Sequence, residues 1–362
     1  MYLDLWQLLG GLVHWLMVDI IGPIFGWLGF HGFESWLGSF DVLNLITIVL
    51  VVLIVFVVGM LVSITLIWQE RKTLGRLMDR RGTQTGPIGL FQNFADALKV
   101  LVKEIIIPES ADELVYNAAP VIIIGTSLFL FVTIPYSPGF YASDSDLSLI
   151  LTFAIFSLAP FAVLLGGWAS NNKFTIIGGM RAAAQIIAYE IPLLLSVVGV
   201  VILAGSLSLN DIVVYQQSHI WLFIPMIIGF GVFLISMVAE VERVPFDLPE
   251  AEAELVEGWG TEYGGMRFGL IMMSEYARGF VGSALATLLF LGGWDGPFPE
   301  IIPAGLWFLG KMFFVFFIFI WIRGALPRVR TDQILAIGWK RLLPLSVVNI
   351  FIAIALKTLG WF

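Results

Sequence analysis

Cysteine is absent from the 362 residues. Disulfides, thiolate-held zinc and Cys-ligated iron–sulfur clusters are therefore excluded. Histidine is scarce too: His14, His31 and His219 are scattered, with no pair one helical turn apart. No metal ligand set and no haem site are expected, so any redox electrons travel on another carrier. Charge is thin at 13%, about half of what a soluble domain carries. Lys and Arg do not occur before Arg71. A secretory signal needs a basic leader, so the first 40 residues do not resemble one. Nucleophile triads, phosphate loops and dinucleotide fingerprints are also missing.

Apolar length is abundant. The chain is 59% hydrophobic with a mean hydropathy of +0.95. Runs of about 20 apolar residues, enough to cross a bilayer, recur along it. The pattern predicts an all-α, polytopic membrane protein with no separate soluble domain. Eight spans are expected at 43–68, 116–136, 148–169, 182–204, 219–240, 267–291, 303–323 and 342–361. Residues 1–42 mix Trp6, Trp15, Trp27 and Trp36 with Asp4, Asp19 and Glu34, which suits a pair of interfacial helices ahead of the 43–362 transmembrane domain.

Basic residues are one-sided. Of the 19 Lys and Arg, 16 fall in segment 69–115 and in later loops and span ends on the same side, while loops 137–147, 205–218 and 292–302 hold none. The positive-inside rule places the basic loops in the cytoplasm and both termini outside. Within 69–115, FQNFADALKVLVKEII (91–106) sets Phe91, Phe94, Ala95, Leu98, Leu101, Val102 and Ile105 on one helical face. An amphipathic helix on the membrane surface or against a partner is expected there.

Chemistry concentrates in AEVERVPFDLPEAEAELVEGWGTEYGGMRFGLIMMSEY, Ala239 to Tyr276. Nine carboxylates from Glu240 to Glu275 stand against Arg243 and Arg267 alone. Closely spaced acids cannot all be ionised cheaply, and interacting acids titrate as a group. Pro245, Phe246, Leu248 and Pro249 interrupt the run with stiff apolar residues, which suits a folded, partly buried segment better than a solvated loop. Glu190, Glu240 and Glu275 fall in or at the ends of expected spans, where ionisable groups are by default functional. Pro192 frees a backbone carbonyl beside Glu190, which water or a side chain can satisfy. Arg278, one turn after Glu275, is placed to pair with it locally, to take part in proton movement, or both. Glu70, directly before Arg71 and Lys72, suggests a buried or interfacial pair at the end of the first span. Gly178-Gly179 and Gly264-Gly265 suit turns or helix packing rather than phosphate binding.

The acidic stretch resembles the signature of a membrane component of respiratory complex I, its H subunit, also called subunit 1. GGMRAAAQIIAYEIP (178–192), ERKTLGR (70–76), GLFQNFADALKVLVKE (89–104) and WIRGALPRVRTDQILAIGWKRLLPL (321–345) are similar to other motifs of that family, in order, over about residues 43–362. The resemblance implies a non-redox membrane subunit of a proton-translocating oxidoreductase, with no catalytic residue of its own and no activity alone. It implies a cavity for a lipid quinone or methanophenazine shared with neighbouring subunits, and an acidic path leading away from it. Glu190, Glu240, Asp247, Glu250, Glu252, Glu254 and Glu275 would line or feed that path, with Asp96 near its junction with the cavity. Glu70, Arg71, Arg181 and Arg243 would shape the cavity or steady its loops. Implied partners are iron–sulfur and quinone-site subunits of a peripheral arm, small membrane and antiporter-like subunits, and lipids of an energy-coupling membrane; no nucleic acid is expected.

One stretch departs from the family. Where the family usually has Pro-Asn after an Arg-x-Gly, this chain reads Arg80-Arg81-Gly82-Thr83-Gln84-Thr85-Gly86-Pro87, in a loop that appears one residue shorter. The electron donor (NADH, reduced F420, ferredoxin or another) and the carrier stay open. The competing readings are a stand-alone ion or solute transporter and a structural membrane subunit that only anchors the peripheral arm.

Overall fold

A computed structural model describes residues 5–16, 40–247, 252–298 and 301–360. In chain order the helices are α1 (Leu5–His14), α2 (Phe40–Leu77), α3 (Gln92–Val102), α4 (Glu113–Thr133), α5 (Ser148–Phe156), α6 (Ala159–Ala169), α7 (Lys173–Ala204), α8 (Leu209–Ser218), α9 (Ile227–Glu240), α10 (Glu252–Leu255), α11 (Gly265–Phe290), α12 (Ala304–Ala325), α13 (Thr331–Ile337) and α14 (Leu343–Thr358). A π-helical turn, Gly338–Leu342, joins the last two. Among the described residues there is no β-strand, only an isolated bridge between Ser137 and Phe140.

Each of the eight expected spans coincides with a helix or a broken helix. Six are long and apolar enough to cross a membrane: α2, α4, α5–α6, α7, α12 and α13–α14. The chain is an all-α, multi-pass membrane protein. The other two segments differ for physical reasons. The 219–240 run is helical only from Ile227, leaving 14 residues, because Pro225 precedes it and Gln216 holds the residues before it. The Gln216 side-chain oxygen accepts from Leu222 N at 3.3 Å and from Gly292 N at 3.0 Å, and its amide donates to Leu288 O at 2.8 Å. In α11, Arg267, Glu275 and Arg278 lower the apolarity of a helix 26 residues long.

Helix α11 is nevertheless the centre of the bundle. Every residue from Tyr276 to Phe290 is buried, and a helix buried all round lies in the interior. Small residues let its neighbours approach: a side chain at Gly279 would press on Phe316 of α12, and one at Gly282 on Met237 of α9. Helix α7 forms the second axis, packed by α6, α9 and α14. A Cβ at Gly178 would fall 2.7 Å from the backbone of Gly258, and one at Gly179 3.4 Å from Gly167 Cα, so this glycine pair is a packing device. Gly265 has φ +58° and opens α11 in the left-handed region.

Pro192 sits inside α7 and leaves the carbonyl of Ala188 without its helical donor. Gly338 approaches there: its Cβ position would lie 3.2 Å from Ala188 O. The π-helical turn thus begins where the interrupted ladder of α7 admits another backbone. Asn349 ties α14 to the same helix, donating to Ser196 O at 3.2 Å.

The loop expected at 205–218 contains α8, whose Ser208 hydroxyl caps its first turn by accepting from Asp211 N at 3.4 Å. Of residues 1–42, α1 is described: Leu5 N donates to Gly139 O at 2.9 Å, and Leu9 and Val13 are buried. Trp27, Trp36, Asp19 and Glu34 lie outside the described residues. The amphipathic helix is observed as α3. Its apolar residues Phe94, Leu98, Leu101 and Val102 are exposed, while Asn93 is buried and donates to Ile64 O of α2 at 2.8 Å.

Candidate functional site: a cavity backed by buried ion pairs

Where α9 ends, the chain turns sharply. Glu242 adopts φ +55°, and Arg243 N and Phe246 N donate to Val238 O and Arg243 O at 3.1 and 2.8 Å. Gln185 of α7 staples the turn, donating to Ala239 O at 3.0 Å and Phe246 O at 2.8 Å. Glu240, Glu242, Arg243 and Phe246 are all buried. The acidic stretch is therefore folded into the protein here, as its apolar interruptions suggested; Leu248 and Pro249 lie outside the described residues.

Arg243 is the hub. Its Nη1 donates to both carboxylate oxygens of Glu70, at 3.0 and 3.1 Å, and its Nε lies 2.9 Å from Glu275 Oε1. The guanidinium stacks 4.3 Å from the Tyr276 ring. Arg323 of α12 also bonds Glu70. Burial alone would favour loss of the Arg243 proton, but the carboxylates of Glu275 and Glu70 outweigh it and keep the side chain charged. The buried pair expected at Glu70 is present: its partners are Arg243 and Arg323, far along the chain, while Arg71 points to Asp96 of α3. The local pairing expected of Arg278 with Glu275 is corrected. Glu275 pairs with Arg243, and Arg278 lies 4.0 Å from Glu242 instead. Tertiary contact between α2, the 241–247 turn, α11 and α12 overrides adjacency on one helix.

These residues wall a cavity of about 210 Å3, lined by Glu242, Arg243, Asp247, Glu257, Trp259, Phe268, Met272, Glu275, Tyr276 and Arg323 among others. Its lining mixes charged groups with aromatic and apolar ones. Behind it, Glu240 is 1% exposed and neither carboxylate oxygen has a hydrogen-bond partner in the protein. Glu190 and Glu242 oppose its charge, and Arg278 is the counter-charge that faces it. Glu242 Oε1 and Arg278 Nε and Nη1 are likewise buried without a hydrogen-bond partner. Buried polar groups without protein partners are commonly served by water.

Glu242 stands in the turn beyond α9. Burial pushes its carboxyl up to about 7, with Arg278 opposing and Glu275 adding to the rise. A raised carboxyl favours the folded state in its protonated form. That stability is fully present below the ordinary glutamate value of 4.5 and is lost as pH rises through about 7. Glu242→Gln, neutral throughout, should flatten the fall in melting temperature across this window. An unchanged pH profile in the variant would show that another group titrates there.

The remaining expected site residues are spread around this centre. Glu190 is half-buried on α7, beside the proline break. Arg328 Nε donates to both carboxylate oxygens of Asp247, at 3.1 and 3.2 Å, and its Nη2 lies 3.1 Å from Oδ2. Arg181 of α7 bonds Glu254 at 3.0 Å across a half-exposed surface. Asp96 is held by Arg71 on the side of α2 that faces α3. Its burial is outweighed by hydrogen bonds from Arg71 and Gln92, so its carboxyl stays below the ordinary range. Glu250 lies outside the described residues, as does the side chain of Glu252. Of the four residues assigned to the carrier, only Arg243 lines the cavity; Glu70 supports it from behind, and Arg71 and Arg181 stand apart. Spacing gave no sign of Arg323, Glu257 or Trp259 as lining groups. Arg323 was legible only as part of the motif 321–345.

A family model described as NADH dehydrogenase matches residues 48–354. The chain belongs to this family. It is 46% identical over 295 residues to the H subunit of NADH-quinone oxidoreductase from Dehalococcoides mccartyi, covering 81% of this chain and 82% of that relative. It is 47% identical over 296 residues to the corresponding H subunits of Anoxybacillus flavithermus and Bacillus mycoides, covering 81% of this chain and 89% of each. The family match spans α2 through most of α14, and so contains every residue of the cavity and of the ion-pair network.

Proposed function

We propose that this chain is the membrane subunit of a complex I-like, redox-driven proton pump. It holds the headgroup of a lipid carrier, a quinone or methanophenazine, and turns its reduction into a change of charge among buried acids. The observation that carries this reading is continuity: Glu242 and Glu275 line the cavity and belong to the buried network that leads on to Glu240 and Glu190. A volume of about 210 Å3 suits a headgroup rather than a whole isoprenoid carrier, since pockets for drug-sized ligands run from about 300 Å3 upward. Fixed charges around the headgroup bind it electrostatically, and charge created there shifts the protonation of its neighbours.

The chain brings no redox centre in this account. Iron–sulfur and carrier-site subunits of a peripheral arm supply the electrons, and antiporter-like subunits receive the effect. The basic loops face the cytoplasm and the termini the opposite side. Identity of 46–47% to oxidoreductase subunits supports a subunit over a stand-alone transporter. Purification through a tag on this chain in mild detergent, followed by mass spectrometry, tests the reading. It should bring down iron–sulfur and antiporter-like subunits, and the input subunit will name the donor. A chain that arrives alone and transports ions after reconstitution would overturn it.

A further inference from the structure

At the C-terminal end of α2 is a second feature, which the proposed function does not use. Two cavities adjoin at the end of this helix. The first, about 470 Å3, is lined by Trp68, Gln69, Lys72, Thr73, Arg76, Leu77 and Ile88, with Phe317 of α12 as its far wall. The second, about 480 Å3, is lined by Lys72, Arg76, Asp79, Arg80, Arg81 and Gln84. Lys72 and Arg76 belong to both. An apolar groove thus opens into a cluster of four bases tempered by one acid, Asp79. The 80–87 loop, where the chain departs from its family, supplies much of the basic end.

Its position along the helix fixes its depth. At 1.5 Å per residue, the 38 residues of α2 reach about 57 Å, against a hydrocarbon core of about 30 Å. Exposed Leu45, Val49, Leu53, Val57 and Leu61 form one apolar stripe up the helix. The stripe gives way to Trp68, whose indole donates to Ile88 O at 3.1 Å, and then to the bases. Aromatic residues followed by cations mark the headgroup level of a membrane. The cluster is also preorganised: Lys72 Nζ donates to Thr83 O at 2.9 Å, drawing the basic loop against α2.

We infer that this groove is a binding site for one anionic phospholipid, its phosphate on Lys72 and Arg76 and one acyl chain between Trp68, Ile88 and Phe317. The chemistry selects such a lipid on two counts. Net positive charge at headgroup depth attracts an anion, and an apolar slot running toward the membrane core from the same two residues requires an attached chain. A free anion would leave the slot unused, and an acidic protein surface would have no need of it.

The test uses the assembled complex in nanodiscs, with trace phosphatidylglycerol bearing a photoreactive acyl chain and, separately, the matching phosphatidylcholine. Peptide mapping should place the phosphatidylglycerol label on 64–90 and on 313–321, well above the phosphatidylcholine label. Lys72→Gln/Arg76→Gln should cut the anionic label by about tenfold, each lost base removing part of the surface attraction, and leave the neutral label unchanged. Arg76 is exposed, so Arg76→Gln alone keeps the experiment readable if the double variant fails to assemble, with a smaller loss of the same sign. Equal labelling by both lipids, or labelling indifferent to these substitutions, would reduce the groove to ordinary lipid contact. Absence of lipid label together with protein cross-links at Arg76 would reassign it to a partner subunit.

Discussion

Arg243→Gln should destabilise the protein by about 3–5 kcal/mol, the range seen when one partner of a buried ion pair is removed. The side chain is 9% exposed and serves two carboxylates at once, Glu70 at 3.0 Å and Glu275 at 2.9 Å. The loss is unequal. Glu70 retains Arg323, whereas Glu275 keeps no counter-charge among the ion pairs of the described residues, and Tyr276 loses its stacked guanidinium. Arg243→Lys should fall between, because an ammonium keeps the charge but cannot reproduce the fork that meets both acids. The check is thermal unfolding of the purified complex together with the yield of assembled complex. A Gln variant that melts like the native protein would mean that Arg243 does not hold these acids in the folded state. Pairing Arg243→Gln with Glu275→Gln should recover part of the loss, and the double-mutant cycle would measure the coupling directly.

The ion-pair network also marks how far sequence alone could reach. Eight apolar segments were legible because each is long, and all eight carry helix. Burial of the 240–246 turn was legible from Pro245 and Phe246, which a solvated loop does not require. Which acid meets which base was not legible. Glu275 and Arg278 lie one turn apart, and spacing alone joins them; the structure gives each a partner from the turn beyond α9. Glu242 and Arg243 reach those partners because backbone at φ +55° folds the turn back between helices, and no local pattern announces that conformation. Helix α9 starts later than its apolar run for a related reason. Residues 219–226 are as apolar as a span, but Leu222 N donates to the Gln216 side chain of α8 and Phe223 N to Phe290 O of α11. Arg323 escaped notice because its role depends on α12 packing beside α2, a contact between residues 253 apart in sequence.

Glu240→Gln should leave assembly intact while lowering both carrier reduction and pumping by about tenfold or more, the effect of a barrier raised by about 1.4 kcal/mol or more. The substitution preserves shape. Neither carboxylate oxygen accepts a hydrogen bond from the protein, so no protein hydrogen bond is broken and only the attraction between Arg278 and the charged form is lost. A buried carboxylate also carries a desolvation cost that the amide does not, so the melting temperature should hold or rise. Loss of function with stability retained separates a proton-handling role from a structural one. An anchor that merely joins two arms would tolerate the change with full turnover. Glu190→Gln should act in the same direction, since Glu190 faces Glu240 from the half-buried side of α7.

Reduction of the carrier should change the protonation of buried acids in this chain. The most direct measurement is the infrared difference spectrum, reduced minus oxidised carrier, of the assembled complex in its carboxyl region. It would be taken for native protein and for Glu240→Gln at a carrier concentration that saturates both. A carboxyl band is expected in the native difference spectrum and should be lost or displaced in the variant. Carrier reduction that proceeds in both with identical carboxyl spectra would contradict this expectation.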